Sequence, residues 1–272
     1  MTINIYAITD SHQEARNLSV LLSGIYSYEK DIQNPLIVFD CGDLFKGIYD
    51  RRLSVNAYLK LKKMLPHANI FMTLGNNDFG FNQENFEYLK QTINEFENNG
   101  IYFVCANLKN TDTNEYSSLV PRYKIIEIDN KKILITGFCL NTSIMKNFNL
   151  EFEDSKVSMK NLIENIKEDY DHIFVLNHHW YQYSRDLHDY CVDNGIKIDL
   201  IIGGHEHSKI LPDYHRNIFY PLSFARSLYK MNFADKISNI EEIEKDSLHV
   251  ISEFEEEISE YEKETNLFEP IA

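Results

Sequence analysis

Two histidines one residue apart follow a short apolar run in residues 198–207, IDLIIGGHEH. The run is too short for most helices and ends in two glycines, which predicts a buried strand followed by a tight turn. Imidazole is the commonest metal ligand near neutral pH, so His205 and His207 are candidate metal ligands. A His-x-His sequence after a strand is also common as a structural feature, so its meaning depends on the rest of the chain.

Polar side chains of the same kind follow four other predicted strands. They are Asp10 and His12 after residues 3–9, Asp43 after residues 36–40, Asn76 after residues 69–74, and His178 after residues 172–176. Polar residues just past the carboxyl ends of neighbouring strands in an open α/β sheet face one crevice. Each motif taken alone also reads as a capping or turn sequence, whereas all of them together predict a shared site.

The donor types in this set indicate a metal centre with two ions. Seven nitrogen or oxygen donors are too many for one ion, and they suit two ions that share one carboxylate. Imidazoles mixed with carboxylate and amide oxygens favour Mn, Fe or Zn over an ion held by thiolates. The sequence therefore predicts two divalent metal ions as cofactors.

Helices and further strands must hold these strand ends in place. Apolar spacing predicts helices near residues 14–28, 54–65, 84–96, 155–168 and 186–194, with Ser155 as a helix cap. Additional strands are predicted at residues 100–106, 209–211, 218–221 and 229–233, and Asp129-Asn130 is a hairpin turn between two more. Strands that alternate with helices predict an α/β fold, and the hairpin makes its sheet mixed.

Composition limits the class of partner. The 272 residues carry a net charge of -15, which argues against extended nucleic-acid binding, because that binding depends on clustered Lys and Arg. The N-terminus has no signal-peptide pattern and no apolar run reaches a membrane-spanning length, so we expect a cytoplasmic protein without a membrane partner. The cysteines are widely spaced, which favours buried reduced thiols over disulfides or a thiolate metal site: Cys41, Cys105, Cys139 and Cys191.

The polar motifs together resemble the signature of the calcineurin-like metallophosphoesterase superfamily in its full order: Asp10-x-His12, Gly42-Asp43, Gly75-Asn76, His178 and Gly204-His205-x-His207. Residues 43–47, 106–108, 121–125 and 195–199 are similar to the catalytic domain of bacterial 5′-nucleotidases and 2′,3′-cyclic phosphodiesterases. The resemblance covers roughly residues 3–235. It implies a four-layer α/β/β/α sandwich with mixed sheets and a metal-dependent hydrolase of phosphoric esters.

The resemblance also implies a role for each candidate ligand. Asp10, His12 and His207 would hold one metal, Asn76, His178 and His205 the other, and Asp43 would bridge both and thereby hold a bridging hydroxide. That hydroxide would attack phosphorus in line with the leaving oxygen. The implied substrate is a nucleotide or a related small phosphate ester, as for a 5′-nucleotidase-like phosphatase. The alternatives are a phosphodiesterase and a low-activity binding or scaffold protein on the same fold.

The chain departs from the family pattern directly after Asn76. The family usually has a histidine at the next position, paired with an aspartate a few residues later, where this chain has Asn77 and Phe79-Gly80. Asn77 is thus a weaker replacement, because an amide donates a hydrogen bond to a phosphoryl oxygen but supplies no proton. We expect the loss to matter most for esters with poor leaving groups.

Two other segments leave alternatives open. Trp180, Tyr181 and Tyr183 follow His178 closely, and they are either a stacking surface for a base or aromatics packed under a loop. Residues 241–264 are acidic, with apolar residues at three- or four-residue steps, which predicts an amphipathic helix. That helix either packs on its own domain or leads towards a second domain or a partner. We therefore divide the chain into a catalytic domain, residues 1–237, and an acidic helix or connector, residues 238–272.

Overall fold

The computed structural model describes residues 2–46 and 50–265. Gly47, in one of the segments similar to nucleotidases, and residues 266–272 of the predicted connector lie outside the described residues. The strands in chain order are β1 (Ile3–Ile8), β2 (Leu36–Asp40), β3 (Asn69–Met72), β4 (Ile101–Phe103), β5 (Leu108–Asn110), β6 (Tyr123–Ile128), β7 (Lys131–Cys139), β8 (Leu150–Phe152), β9 (His172–His178), β10 (Leu200–Gly204), β11 (Ile218–Phe219), β12 (Ser227–Phe233) and β13 (Ile237–Glu244). The helices are α1 (Ala15–Glu29), α2 (Arg51–Met64), α3 (Gln83–Asn98), α4 (Ser155–Asn165), α5 (Tyr181–Asp193) and α6 (Ser252–Thr265), and short 3-10 helices cover Ser143–Phe148 and Lys245–Ser247.

Two large sheets carry the fold. The first has the strand order β13-β12-β1-β2-β3-β4, and the second has the order β11-β10-β9-β7-β6. β1 to β4 run parallel, as do β7, β9, β10 and β11, whereas β12, β13 and β6 are antiparallel to their neighbours. β5 and β8 pair in a small antiparallel sheet of their own. Both large sheets are therefore mixed, as the sequence predicts.

The buried apolar side chains separate the fold into layers. Between the sheets, the rings of Phe39 and Phe174 meet edge to face with centroids 6.2 Å apart. The outer face of the first sheet packs on α1, α2, α3 and α6 through a core that includes Leu22. The outer face of the second sheet packs on α4 and α5 through Met159 and Leu187. The four-layer α/β/β/α sandwich is thus confirmed.

The acidic C-terminal segment differs from the helix predicted over residues 241–264. Its first part is the end of β13, which pairs with β12 at the edge of the first sheet, and helix α6 begins only at Ser252. The three-residue spacing of Ile237, Ile240 and Ile243 fits a helix, whereas the strand places Ile240 and Ile243 against different cores; pairing with β12 overrides the local pattern. The predicted division after residue 237 falls at the first residue of β13.

Helix α6 packs on α1 and α2 of its own chain. Phe254 and Ile258 on its inner face are buried. Arg16 in α1 binds Glu255 at 3.1 Å and Glu262 at 2.5 Å across the contact. The apolar stripe that the sequence predicted for this helix is therefore covered by the parent domain.

Two local predictions need correction, and one small sheet lacks a prediction. Residues 209–211 lie in a loop, where Leu211 is 75% exposed, because β11 rather than this segment pairs with β10. Asp154 caps α4 in place of the predicted Ser155, and its carboxylate accepts from the N–H groups of Lys156 and Val157. The small β5–β8 sheet was not predicted, because three-residue strands carry too little periodicity to recognise.

Other predictions hold in the structure. The cysteines are buried and free, as expected. Asp129 and Asn130 form the hairpin turn between β6 and β7, with positive φ angles of 53° and 61°. Within the described part of the chain, no helix combines the length and the apolar composition that crossing a membrane requires.

Candidate metal centre

The predicted ligand residues all lie just past the carboxyl ends of parallel strands. Asp10 and His12 follow β1, Asp43 follows β2, Asn76 follows β3, His178 ends β9, and His205 and His207 follow β10. The first three strands are neighbours in one sheet, and the last two are neighbours in the other. Since parallel strands present their carboxyl ends at one edge, the sandwich brings side chains from both sheets together.

Asp10, His12 and His207 form the first group of candidate ligands. The Nε2 atoms of His12 and His207 are 3.1 Å apart, and they lie 3.7 Å and 3.6 Å from Asp10 Oδ1. One ligand atom from each residue lies within 4.8 Å of the other two. The three side chains therefore point at one common position.

Asp43, His178 and His205 form the second group, with ligand atoms again within 4.8 Å of one another. His178 Nε2 lies 3.3 Å from Asp43 Oδ2 and 3.3 Å from Asn76 Oδ1, so Asn76 joins this group. Asp43 Oδ2 also lies 3.7 Å from His12 Nε2 in the first group. The structure thus brings all of the predicted residues together, with Asp43 between the two groups.

The spacing and chemistry of these donors fit divalent metal ions. Nitrogen and oxygen ligands bind zinc at about 2.0–2.2 Å, so two ligands of one ion stand about 3–3.6 Å apart. The separations given above, which do not include His205, are 3.1–3.7 Å. The Nε2 atoms of His12 and His207, 3.1 Å apart, thus stand at the separation of two ligands of one cation.

Surrounding groups hold the ligands in orientation. His178 Nδ1 lies 2.7 Å from the Cys41 carbonyl oxygen, to which it donates, so that Nε2 is left to bind an ion. The Asp10 carboxylate accepts from the Thr9 hydroxyl at 2.6 Å and from the His205 backbone N–H at 2.9 Å. Such partners of metal ligands raise affinity because the ligand does not have to reorganise.

Neighbouring charges and burial determine which side chains of the second group carry a proton. Burial opposes a charge on His178, but the carboxylates of Asp43 and Asp10 outweigh burial and raise its pKa to about 10. Burial likewise opposes ionisation of Asp43, yet His178 lowers its pKa below the usual range. Burial, and then the charge on His178, lowers the pKa of His205 to about 4. The site therefore holds a proton on His178 that a metal ion would displace.

Backbone strain concentrates at the same residues. Asp10, His12, Asp43 and His205 have positive φ angles of 47°, 49°, 57° and 72°, a region that non-glycine residues rarely adopt. At Gly75, a Cβ atom would lie 2.2 Å from the Asp43 backbone nitrogen. Strain of this kind persists where the surrounding structure requires it, and it is typical of functional sites.

Asn77, which stands where the family has histidine, binds the central carboxylate. Its side chain donates to Asp43 Oδ2 at 2.6 Å, and its backbone N–H donates to Oδ1 at 2.7 Å. The amide group therefore orients Asp43, while its hydrogen bond to a phosphoryl oxygen stays a prediction. At Gly80, φ is 65° and a Cβ would lie 2.3 Å from Asn85 Cβ, so the family's aspartate does not fit there.

Asp78 contributes to the site in a way that the sequence did not reveal. This buried carboxyl accepts from the backbone N–H groups of Gly75 at 2.7 Å and of Asp43 and Phe45 at 3.1 Å each. It thereby ties the turn after β2 to the turn after β3. Asp78 follows Asn77 in the turn after β3, and only the fold shows which backbone groups it binds.

Two exposed aromatic rings flank the centre. Trp180 is 44% exposed, and its ring centroid lies 4.2 Å from that of His205. Phe224, in the loop before β12, lies 5.2 Å from His12 and 5.0 Å from His207. No sequence signal distinguishes Phe224, because it is a single aromatic residue in an irregular loop.

The other aromatics near His178 have different surroundings. Tyr183 is exposed and stacks on His179 at 3.9 Å, and the Tyr181 hydroxyl donates to Asp213 at 3.1 Å. Of the three aromatics that the sequence singled out, Trp180 is therefore the one that contacts a candidate ligand.

The fold is shared with proteins of known structure. A 5′-nucleotidase precursor from Thermus thermophilus aligns with a TM-score of 0.70 and 13% identity over 98% of this chain and 59% of that chain. The sulfate thiohydrolase SoxB from the same organism aligns with a TM-score of 0.74 and 13% identity over 99% of this chain and 62% of that chain. The calcineurin-like phosphoesterase YfkN from Bacillus subtilis aligns with a TM-score of 0.66 and 18% identity over 98% of this chain and 97% of that chain. At these identities the likeness establishes the fold.

The chain spans about three fifths of the nucleotidase and of SoxB. No curated protein matches its sequence. Residues 3–209, however, match the family described as calcineurin-like phosphoesterase, and this range contains every candidate ligand. The chain therefore belongs to the calcineurin-like phosphoesterase family of metal-dependent phosphoester hydrolases.

Proposed function

We propose that the protein is a two-metal phosphoesterase that hydrolyses a nucleotide or a related small phosphate ester. The observation that carries this proposal is the position of Asp43 Oδ2, which lies 3.7 Å from His12 Nε2 in one group and 3.3 Å from His178 Nε2 in the other. That position supports two neighbouring ions that share one carboxylate. When bound, divalent ions at such a site supply Lewis-acid chemistry and a hydroxide nucleophile at neutral pH.

The residues of the chain keep the ligands preorganised for this reaction. The Cys41 carbonyl fixes the His178 tautomer, and Asn77 fixes both oxygens of Asp43. Because these contacts exist before substrate binds, little reorganisation is needed when charge develops on the phosphoryl group. Mn, Fe and Zn all suit the mixed nitrogen and oxygen donors.

Trp180 supports a substrate that carries a base or another planar group. Its indole is 44% exposed and stands against His205, so a ring could stack on it beside the metal centre. Stacking on an aromatic side chain is worth about 1–3 kcal/mol per base. This contact within the domain favours a nucleotide over a small aliphatic ester.

A phosphodiesterase is the second candidate, and Asn77 favours it. Neither Asn77 nor Gly80 supplies a proton to a leaving oxygen, where the family has a histidine and an aspartate. Hydrolysis of an ester with a good leaving group needs less of that help. A binding or scaffold protein on this fold would bind ions or partners without turnover.

The test is hydrolysis of mono- and bis-nitrophenyl phosphate by metal-free protein supplied with Mn²⁺, Fe²⁺ or Zn²⁺. We expect Mn²⁺-stimulated turnover, and the ratio of the two rates separates a monoesterase from a diesterase. His178→Ala should lose turnover, whereas His179→Ala, whose ring stacks on Tyr183, should retain most of it. Folded protein that hydrolyses neither ester with any of these metals would contradict the proposal.

A further inference from the structure

A cavity of about 250 Å³ opens beside the candidate metal centre. Asn77 forms part of its wall, and the same side chain donates to Asp43 at 2.6 Å. A single residue therefore separates this cavity from the carboxylate at the middle of the site. The metal centre and the cavity are thus neighbours on either side of the Asn77 side chain.

Two cations line the cavity, and both bind neutral groups. Lys46 Nζ donates to Asn77 Oδ1 at 2.8 Å. The Arg51 guanidinium donates to the Asn85 amide oxygen at 2.7 Å when that amide is turned with its oxygen towards Arg51. By contrast, the neighbouring Arg52 pairs with the carboxylate of Glu95 at 2.5 Å and 2.7 Å.

These two cations form a local positive site in an acidic protein. The net charge of the chain is -15, yet neither Lys46 nor Arg51 pairs with a carboxylate of residues 2–46 or 50–265. Asp78 also lines the cavity, but its oxygens accept the backbone N–H groups of Asp43, Phe45 and Gly75. An anion that entered the cavity would meet two unneutralised donors.

Phe45 and Phe81 form the apolar part of the wall, beside the polar side chains of Gln13 and Asn85. Phe81 is 63% exposed, and Lys46 Nζ stands 5.6 Å from the centre of its ring. This distance is within the range of a cation–π contact, which favours keeping the Lys46 ammonium at the cavity. The Arg51 guanidinium lies 5.4 Å from the ring of Tyr88, which holds it in a similar way.

We propose that this cavity binds a second anionic group of the substrate, either a carboxylate or a phosphate. The preferred substrate is then a phosphate ester whose alcohol portion carries such a group. Lys and Arg bind it through charge-assisted hydrogen bonds, which are stronger than neutral ones. This inference rests on the proposed function, because it places the ester phosphate at the metal centre.

The test compares three phosphonates of equal chain length by calorimetric titration of the manganese-loaded protein. Propylphosphonate lacks a second anion, 3-phosphonopropionate carries a carboxylate, and 1,3-propanediphosphonate carries a second phosphonate. We expect 3-phosphonopropionate, 1,3-propanediphosphonate or both to bind about tenfold more tightly than propylphosphonate. A hydrogen bond to a charged group contributes a free energy of that size. Which of the two gains more identifies carboxylate or phosphate as the preferred group.

Matched variants assign the effect to the cavity. Arg51→Gln should reduce the tenfold preference to about twofold or less, and Lys46→Met should reduce it similarly. Arg52→Gln, which removes the adjacent but already paired charge, should leave the preference intact. Circular dichroism checks folding, and Lys46→Met serves as the test if Arg51→Gln does not fold.

Several outcomes would overturn the inference. They are equal affinity for all three ligands, no binding of any of them, or an equal loss of preference in Arg52→Gln. Nitrophenyl phosphate hydrolysis by the same samples reports separately on the proposed function. Turnover of nitrophenyl phosphate with equal affinities for the three phosphonates would contradict only the anion subsite. A tenfold preference for a phosphonate with a second anion, without turnover, would contradict only the proposed activity.

Discussion

Two polar clusters lie at opposite ends of β1, and they differ in the kinds of group that they bring together. At the amino end, the buried Glu29 carboxyl accepts from Asn4 Nδ2 at 2.9 Å and 3.1 Å and from the Tyr6 hydroxyl at 2.7 Å. These residues lie in a regular strand and helix. Protein groups alone complete this cluster, which identifies its role as structural.

At the carboxyl end, the cluster around Asp10 instead contains several groups of the types that ligate metal ions. His12 and His207 direct their Nε2 atoms at each other at 3.1 Å, and Asp43 lies between imidazoles of two groups. The backbone at Asp10, His12 and Asp43 is also strained. Imidazoles and carboxylates that converge on common positions, on a strained backbone, indicate a site built for a ligand that carries positive charge.

The largest expected effect separates the two clusters by activity. Asp43→Asn should lower hydrolysis of nitrophenyl phosphate by about 10³-fold or more, because it weakens the hold on both ions. Glu29→Gln, the matched carboxyl-to-amide change in the other cluster, should leave the rate per folded molecule within about twofold. Steady-state kinetics on both variants measures the two rates. A similar loss of rate in both variants would contradict the different roles of the two clusters.

The second expected effect is on metal affinity as a function of pH. Because the Asp43 and Asp10 carboxylates overcome burial and raise the pKa of His178 to about 10, a metal ion must displace its proton at neutral pH. Between pH 6 and pH 8 we expect Mn²⁺ affinity to rise about tenfold per pH unit, with release of about one proton. Calorimetry in buffers of different ionisation enthalpy counts that proton.

The metal-free protein should show the opposite trend in stability. The folded pKa of His178, about 10, lies above the ordinary histidine value of 6.5, so its stabilising contribution is complete below pH 6.5 and is lost as pH rises towards about 10. Thermal unfolding of the metal-free protein across this range measures the loss. Metal affinity that does not change with pH would show that His178 is not a ligand.

The smallest expected effect is on the folding stability of the structural cluster. Glu29→Gln turns an acceptor into a donor that faces Asn4 Nδ2 or the Tyr6 hydroxyl, which should cost about 2 kcal/mol of unfolding free energy. Tyr6→Phe removes one hydrogen bond and should cost about 1 kcal/mol. Urea unfolding of both variants checks these values, and an increase in stability would contradict the structural role.

The sequence was informative where local chemistry and topology coincide. Asp10, Asp43 and His178 each follow an apolar run, and parallel strands necessarily present such residues at one edge. The alternation of strands and helices likewise predicts the α/β layers. These inferences need only the order of residues along the chain.

Other features depend on tertiary contacts that no local pattern encodes. The Cys41 carbonyl that orients His178 is a backbone group, and any residue type could supply it. Lys46 and Arg51 meet at the cavity beside Asn77 only because the turns after β2 and β3 lie next to each other. Residues 241–244 form the end of strand β13 because they pair with β12 at the edge of the first sheet. The convergence of the candidate ligands was therefore predictable, whereas the groups that position them were not.

Anomalous diffraction from crystals of the manganese-loaded protein tests the central claim most directly. We expect two peaks, one bound by Asp10, His12 and His207 and the other by Asn76, His178 and His205. Asp43 should contact both at about 2.2 Å, in the range of metal–carboxylate bonds. A single peak, no peak, or two peaks that Asp43 does not bridge would contradict a two-metal centre.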